Sequence, residues 1–123
     1  MLEFAKNINI KVQRTDALEW IKIFESADEA RRILTGKPAQ LLIVRGKRIC
    51  LATYQEKFFA VSDSCTHNGE SLSKGMVNYQ GEIICPWHNY RFELATGICS
   101  VPSCRDLEIY PVKEDATGFF IGI

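Results

Sequence analysis

The sequence predicts an all-β fold, a small antiparallel sandwich or barrel with a single short helix. Short segments of alternating or β-branched residues follow one another, and glycine-bearing turns separate them at close intervals. Only one stretch carries both a helix start and a helix stop. The 123 residues, 46% hydrophobic and 24% charged, suit one globular domain and exclude a disordered or fibrous chain.

The elements can be justified in order. Residues 1–17 read as an N-terminal extension, in which Asn7-Ile8-Asn9-Ile10-Lys11-Val12-Gln13 alternates as an edge strand or forms a loosely held arm. Residues 18–123 form the domain. Leu18 to Phe24 alternates as a strand. Ser26-Ala27-Asp28-Glu29 is a capping box that opens a helix over Asp28 to Leu34, closed by Gly36 and Pro38. Leu41 to Arg45, Arg48 to Tyr54 and Phe58 to Ser62 follow as hairpin strands, turned at Gly46-Lys47 and Gln55-Glu56-Lys57. Later strands are expected at Met76 to Asn78, Glu82 to Ile84, Arg91 to Leu94, Ile98 to Val101, Leu107 to Lys113 and Phe119 to Ile123. Two stretches break the pattern, Asp63 to Gly75 and Cys85 to Tyr90, and they hold the chemistry.

Composition narrows the function classes. Fifteen basic residues balance fifteen acidic ones, so no nucleic-acid partner is expected. The longest apolar runs, such as Leu41-Leu42-Ile43-Val44, are far too short to span a membrane. The segment Met1 to Lys6 lacks the basic start and apolar stretch of a secretory signal, and the expected location is cytoplasmic. Five cysteines make an odd number, which suits metal binding better than a disulfide framework.

Both histidines of the chain lie within three residues of a cysteine. The first loop reads Cys65-Thr66-His67 and the second Cys85-Pro86-Trp87-His88, with seventeen residues between His67 and Cys85. Thiolate and imidazole are the side chains that hold iron and zinc best at neutral pH. One of each on two loops joined by a hairpin can converge on one place. A tetrahedral zinc site in a stabilised interaction module is one outcome, although zinc fingers usually pair like ligands within a loop. A two-metal cluster, with both cysteines on one metal and both histidines on the other, is the second.

At these residues the sequence resembles the Rieske family, whose pattern is C-x-H, a spacer, then C-x-x-H within a small antiparallel β domain. Leu72 and Gly75 after the first loop also match, as do Phe92, Thr96-Gly97, Pro102 and the closing Leu107 and Tyr110-Pro111-Val112. The resemblance covers Trp20 to Ile123. It implies one 2Fe–2S cluster per chain, with Cys65 and Cys85 on the buried iron and His67 and His88 on the outer one. It also implies a cluster-binding subdomain built from the two loops. Asn89 stands where the family usually has glycine, and asparagine is the residue best able to replace it in the left-handed region. Glu93 replaces the family's usual aspartate.

The same resemblance indicates the low-potential class. High-potential members tie the two loops with a disulfide, and the corresponding positions here are Glu70 and Trp87. They also place serine and tyrosine hydroxyls on the cluster sulfurs, where this chain has Tyr90 and Phe92. Phe92 has no hydroxyl, and Tyr90 is expected to point its own away. Fewer hydrogen bonds to sulfur lower the potential, toward the bottom of the family's range of roughly −150 to +300 mV.

With both histidines given to the cluster, none remains for a mononuclear oxygenase iron. The expected function is therefore a non-catalytic ferredoxin component, carrying single electrons from a flavoprotein reductase to an oxygenase. The alternatives are a small Rieske subunit of a nitrite reductase-like complex and the zinc module. Thr66, Asn68, Gly69, Pro86, Trp87, Asn89 and Pro102 are expected to shield the cluster loops and form the docking surface. Glu70, Lys74, Arg91 and Arg105 either steer a partner or are ordinary solvated charges. Cys50 is expected in the core; Cys99 and Cys104, which flank Pro102, receive no role.

Overall fold

The computed structural model describes residues 18–123. The strand expected at Asn7 to Gln13, with the rest of the extension, lies outside the described residues. The central strand is β3 (Lys47–Tyr54), flanked antiparallel by β2 (Ala39–Val44) and β4 (Lys57–Ser62). Its alternation sends Ile49 and Leu51 into one core and Cys50 and Ala52 into another, and all four are fully buried. A strand buried on both faces must lie inside the molecule, and the other sheets cover it on either side.

On the first side lies a three-stranded sheet in the order β1-β10-β9, formed by β1 (Trp20–Phe24), β9 (Val112–Asp115) and β10 (Gly118–Gly122). Phe119 and Ile121 from β10 pack with Ile49, Leu51, Ala60, the helix residue Ala30 and the C-capping Leu34. The helix, α1 (Ala27–Ile33), is capped by the Ser26 hydroxyl, which accepts the Glu29 N–H at 3.2 Å. The Glu29 carboxylate accepts from the Glu25 N–H at 2.9 Å, one residue earlier than in an ordinary capping box.

On the second side lies a smaller sheet, β5 (Met76–Val77), β6 (Glu82–Ile84) and β7 (Arg91–Glu93). Ile83 and Phe92, directly paired across β6 and β7, are fully buried with Leu72, Leu94 and Leu107 against Cys50 and Ala52. Burying each of these large side chains stabilises the fold by about 1.5–3 kcal/mol. This sheet carries both cysteine–histidine loops, and its core is their floor.

Two strands expected from the sequence take another form. Leu107 to Lys113 is divided at Pro111, which has no N–H for a continuous ladder. Before it, β8 (Ile109–Tyr110) pairs with β4; after it, β9 joins the other sheet. The Pro111 carbonyl accepts the Gly122 N–H at 2.9 Å and so fastens the crossing point. Ile98 to Val101 is no strand, only a single bridge between Cys99 and Phe92. The chain turns away at once, where the Cys104 N–H closes a turn onto the Val101 carbonyl around Pro102.

Candidate metal centre

The first loop is held at its base by Asp63, whose side chain is completely buried. Its carboxylate accepts from the Ser71 hydroxyl and from the Ser73 N–H at 2.8 Å, and Arg48 of β3 reaches it at 3.5 Å. The Leu72 N–H donates to the Asp63 carbonyl at 2.7 Å, which brings the far end of the loop back to its start. Above this base the Cys65 N–H donates to the Glu70 carbonyl and the Gly69 N–H to the Cys65 carbonyl, at 2.9 and 2.7 Å. Gly69, at φ +80°, makes the reversal in a region that glycine enters freely.

The second loop is a tight turn between β6 and β7. The Cys85 N–H donates to the Tyr90 carbonyl at 2.8 Å, leaving Pro86 to Asn89 as the tip. His88 and Asn89 both lie in the left-handed region, at φ 76° and 59°. The position of Asn89 there agrees with the sequence reading. The same conformation at His88 has no signal in the sequence.

The loops converge as two pairs. Cys65 and Cys85 are 2% and 0% exposed and belong to one buried core cluster. Burial pushes the Cys85 thiol above its ordinary range and the Cys65 thiol adds to this, while hydrogen bonds from the Trp87 backbone and Asn68 oppose it. In front of them stand His67 and His88, both exposed, with ring centroids 5.5 Å apart. Asn68 sits across the seam: its Nδ2 is 3.3 Å from His67 Nδ1 and 3.5 Å from the Trp87 carbonyl. Its Oδ1 accepts the Glu70 N–H at 2.8 Å, which fixes the amide.

This donor set fits a two-metal cluster better than one ion. The arrangement is a buried soft pair behind an exposed imidazole pair. Thiolates placed inward and imidazoles outward match the two unlike ends of a 2Fe–2S cluster with mixed ligation.

Around the centre, Gly69, Pro86, Trp87, Asn89 and Pro102 are exposed, while Thr66 and Asn68 are half-buried. Trp87 is 55% exposed, with its ring 5.0 Å from that of His88. Of the charges considered for steering, Glu70 pairs with Lys74 at 3.8 Å and Arg91 with Glu82 at 3.3 Å. Arg105 is exposed. Cys50 is buried in the floor, as expected. Sequence reasoning missed the placement of Tyr90. Its ring stacks on the His67 imidazole at 4.0 Å between centroids and an interplanar angle of 11°.

A three-layered β domain presenting paired cysteines and histidines on two loops of its smallest sheet is an iron–sulfur protein of the Rieske class. The Rieske [2Fe-2S] domain profile matches residues 19–111, and the chain belongs to that family; its cofactor is a Rieske-type 2Fe–2S cluster. A ferredoxin component of naphthalene 1,2-dioxygenase/salicylate 5-hydroxylase systems from Ralstonia sp. is 38% identical over 72 residues, 57% of this chain and 67% of the relative. The 3-phenylpropionate/cinnamic acid dioxygenase ferredoxin subunit of Photorhabdus laumondii is 39% identical over 77 residues, 61% of this chain and 72% of that one. The ferredoxin of carbazole 1,9a-dioxygenase from Nocardioides aromaticivorans has the same fold, at a TM-score of 0.70 and 23% identity over 83% of this chain and 95% of that structure. No helix among the described residues is long and apolar enough to cross a membrane.

Proposed function

We propose that Cys65, His67, Cys85 and His88 hold the cluster, and that the chain is the ferredoxin component of an oxygenase system. It takes single electrons from a flavoprotein reductase and delivers them to the oxygenase in the cytoplasm, without catalysing a reaction itself. Residues 18–123 form the working domain and residues 1–17 its extension. The observation that carries the reading is the pair of buried thiols behind the pair of exposed imidazoles.

Bound there, the cluster supplies a one-electron couple. The chain's own residues do the rest. Cys65 and Cys85 keep the sulfur ligands away from water on the apolar floor of Ile83, Phe92 and Leu72. His67 and His88 bring the other end to the surface, within reach of a partner. Trp87, Asn89, Pro86 and Pro102 surround that exit with short or flat side chains and suit a small, transient contact. Phe92 is fully buried and offers no hydroxyl to the sulfurs, which favours a low potential.

Iron and acid-labile sulfide analysis with film voltammetry tests this directly. Equal iron and sulfide and a one-electron wave near the bottom of the roughly −150 to +300 mV range are expected. Full cluster absorbance in His67→Ala or His88→Ala would overturn the ligand assignment. A wave several hundred millivolts higher, on the scale of that same range, would overturn the low-potential carrier.

A further inference from the structure

The loop of residues 99–106 carries two thiols that electron transfer does not use. Cys99 is buried at its bridge to Phe92, and Cys104 is half-buried. Three hydrogen bonds fold this loop back on itself. The Cys104 N–H donates to the Val101 carbonyl at 2.9 Å and the Leu107 N–H to the Gly97 carbonyl at 2.8 Å, while the Cys99 N–H donates to Asp106 Oδ1 at 3.0 Å. The fold-back sets Cys104 against the same buried core cluster that holds Cys99, Cys65 and Cys85. On its other side Cys104 Sγ lies 3.1 Å from Thr66 Oγ1, whose hydroxyl donates to the Arg105 carbonyl at 2.5 Å. Thr66 is the residue between Cys65 and His67.

We propose that Cys99 and Cys104 are a reversible dithiol–disulfide pair, oxidised by a low-molecular-weight disulfide, whose state is transmitted to the first cluster loop through Thr66. The chemistry is two successive exchanges. Cys104, the more accessible sulfur, gives up its proton and attacks one sulfur of the small disulfide; that S–S bond breaks and one small thiol leaves with a proton. Cys99 then loses its proton and attacks Cys104 Sγ, which releases the second small thiol. Two protein thiols are oxidised by two electrons, one small disulfide is reduced to two thiols, and protons balance. The ring so closed is short, so it removes little chain entropy and reverses readily.

The transmission is mechanical. A disulfide brings the two sulfurs to about 2.05 Å, which draws Cys104 Sγ toward Cys99 and off Thr66. It also removes the thiol proton, and with it the contact that Cys104 Sγ donates to the Arg105 carbonyl at 3.6 Å. This coupling rests on the ligand assignment above; the exchange chemistry does not.

The test uses cluster-loaded protein in anaerobic mixtures of reduced and oxidised glutathione, then alkylation under denaturing conditions and tryptic mapping. Cys99 and Cys104 are the only cysteines of peptide Phe92–Arg105. That peptide is expected to escape alkylation as the oxidised fraction rises, appearing about 2 Da below its unalkylated dithiol mass, and to take up two alkyl groups again with excess reduced glutathione. Cys50 should remain a free, alkylated thiol throughout. The same samples should show a reversible shift in the EPR g-values and in the reduction potential, absent in C104S. C99A should stop at a glutathione adduct on Cys104. No internal link at any ratio that leaves the cluster absorbance intact would overturn the pair. A link formed with unchanged EPR and potential would overturn the transmission. Protein that never acquires cluster absorbance would instead reject the ligand assignment, while the peptide mass still reports on the thiols.

Discussion

The two metal-binding loops hold their side chains by opposite means. The first is organised from below by a buried carboxylate, Asp63, with Ser71, Ser73 and Arg48 gathered around it. The second has no such base and is shaped by backbone conformation, with His88 and Asn89 both at positive φ and every tip residue exposed. Polar contacts under cover are costly to remove, because each orphaned group stays buried. A surface turn loses only its conformational preference. The first loop should therefore be thermodynamically demanding and the second tolerant in stability, though both supply ligands.

The sharpest way to break this contrast is Asp63→Ala. It strands the Ser73 N–H and takes away the acceptor of the Ser71 hydroxyl, and should cost about 3 kcal/mol in urea unfolding, with slower cluster uptake. Recovery of about half that loss by Asp63→Asn would assign the effect to hydrogen bonding rather than volume.

Gly75→Ala comes next, at about 2–3 kcal/mol. A Cβ there would overlap the Ile84 carbonyl oxygen, next to Cys85, and so would push the end of one loop from the start of the other. Thermal unfolding and iron content should fall together. A stable, iron-replete alanine variant would mean that the two loops are not pressed together at this point.

The shared floor can be probed through pH. Burial pushes the Cys50 thiol up to about 12, with the nearby Asp63 charge adding and Lys37 opposing. In the unfolded chain this thiol ionises nearer pH 9, so the unfolded state loses its proton first. The contribution of Cys50 to stability should be constant below pH 9 and fall by about 1.4 kcal/mol per unit above it, until the folded thiol also ionises. Denaturant titrations between pH 8 and 10.5 should show that slope, reduced in Cys50→Ala.

The smallest effect belongs to the second loop. Asn89→Gly should change stability by less than about 1 kcal/mol in the stabilising direction, since glycine adopts φ 59° without penalty. A large loss in differential scanning calorimetry would show that the asparagine side chain holds this loop, and the contrast would fail.

The sequence made the framework legible where local and global signals agree. The short apolar run Ile49 to Ala52, bounded by turns on both sides, marks a buried strand whichever neighbours it finds, and Cys-x-His with Cys-x-x-His is dense enough to be read without a structure. Asp63, Ser71 and Ser73 look like a solvated loop in sequence. Their burial depends on a folded-back loop and on Arg48, which faces Asp63 only once β3 and β4 are paired in register, and no contiguous stretch of sequence encodes that contact. The Tyr90–His67 stack joins two loops in the same way. Pro111 was visible as a proline, yet its effect depends on two sheets lying on either side of it. Ile98 to Val101 has strand-like residues, but the turn closed by Cys104 leaves room for only one bridge.

The pairing of Trp20–Phe24 with Gly118–Gly122 has a consequence for how a cell makes this protein. Synthesis delivers the two partners almost a full domain apart, so the outer sheet stays open until residue 122 has left the ribosome. Trp20, Ile21, Ile23 and Phe24 wait uncovered all that time, and a holdase chaperone would recognise such a segment. Every residue of both metal-binding loops is translated within the same interval. The thiols of Cys65 and Cys85 thus exist before the fold that shelters them is closed, and the nascent chain is the stage at which they are most open to oxidation or to the wrong metal.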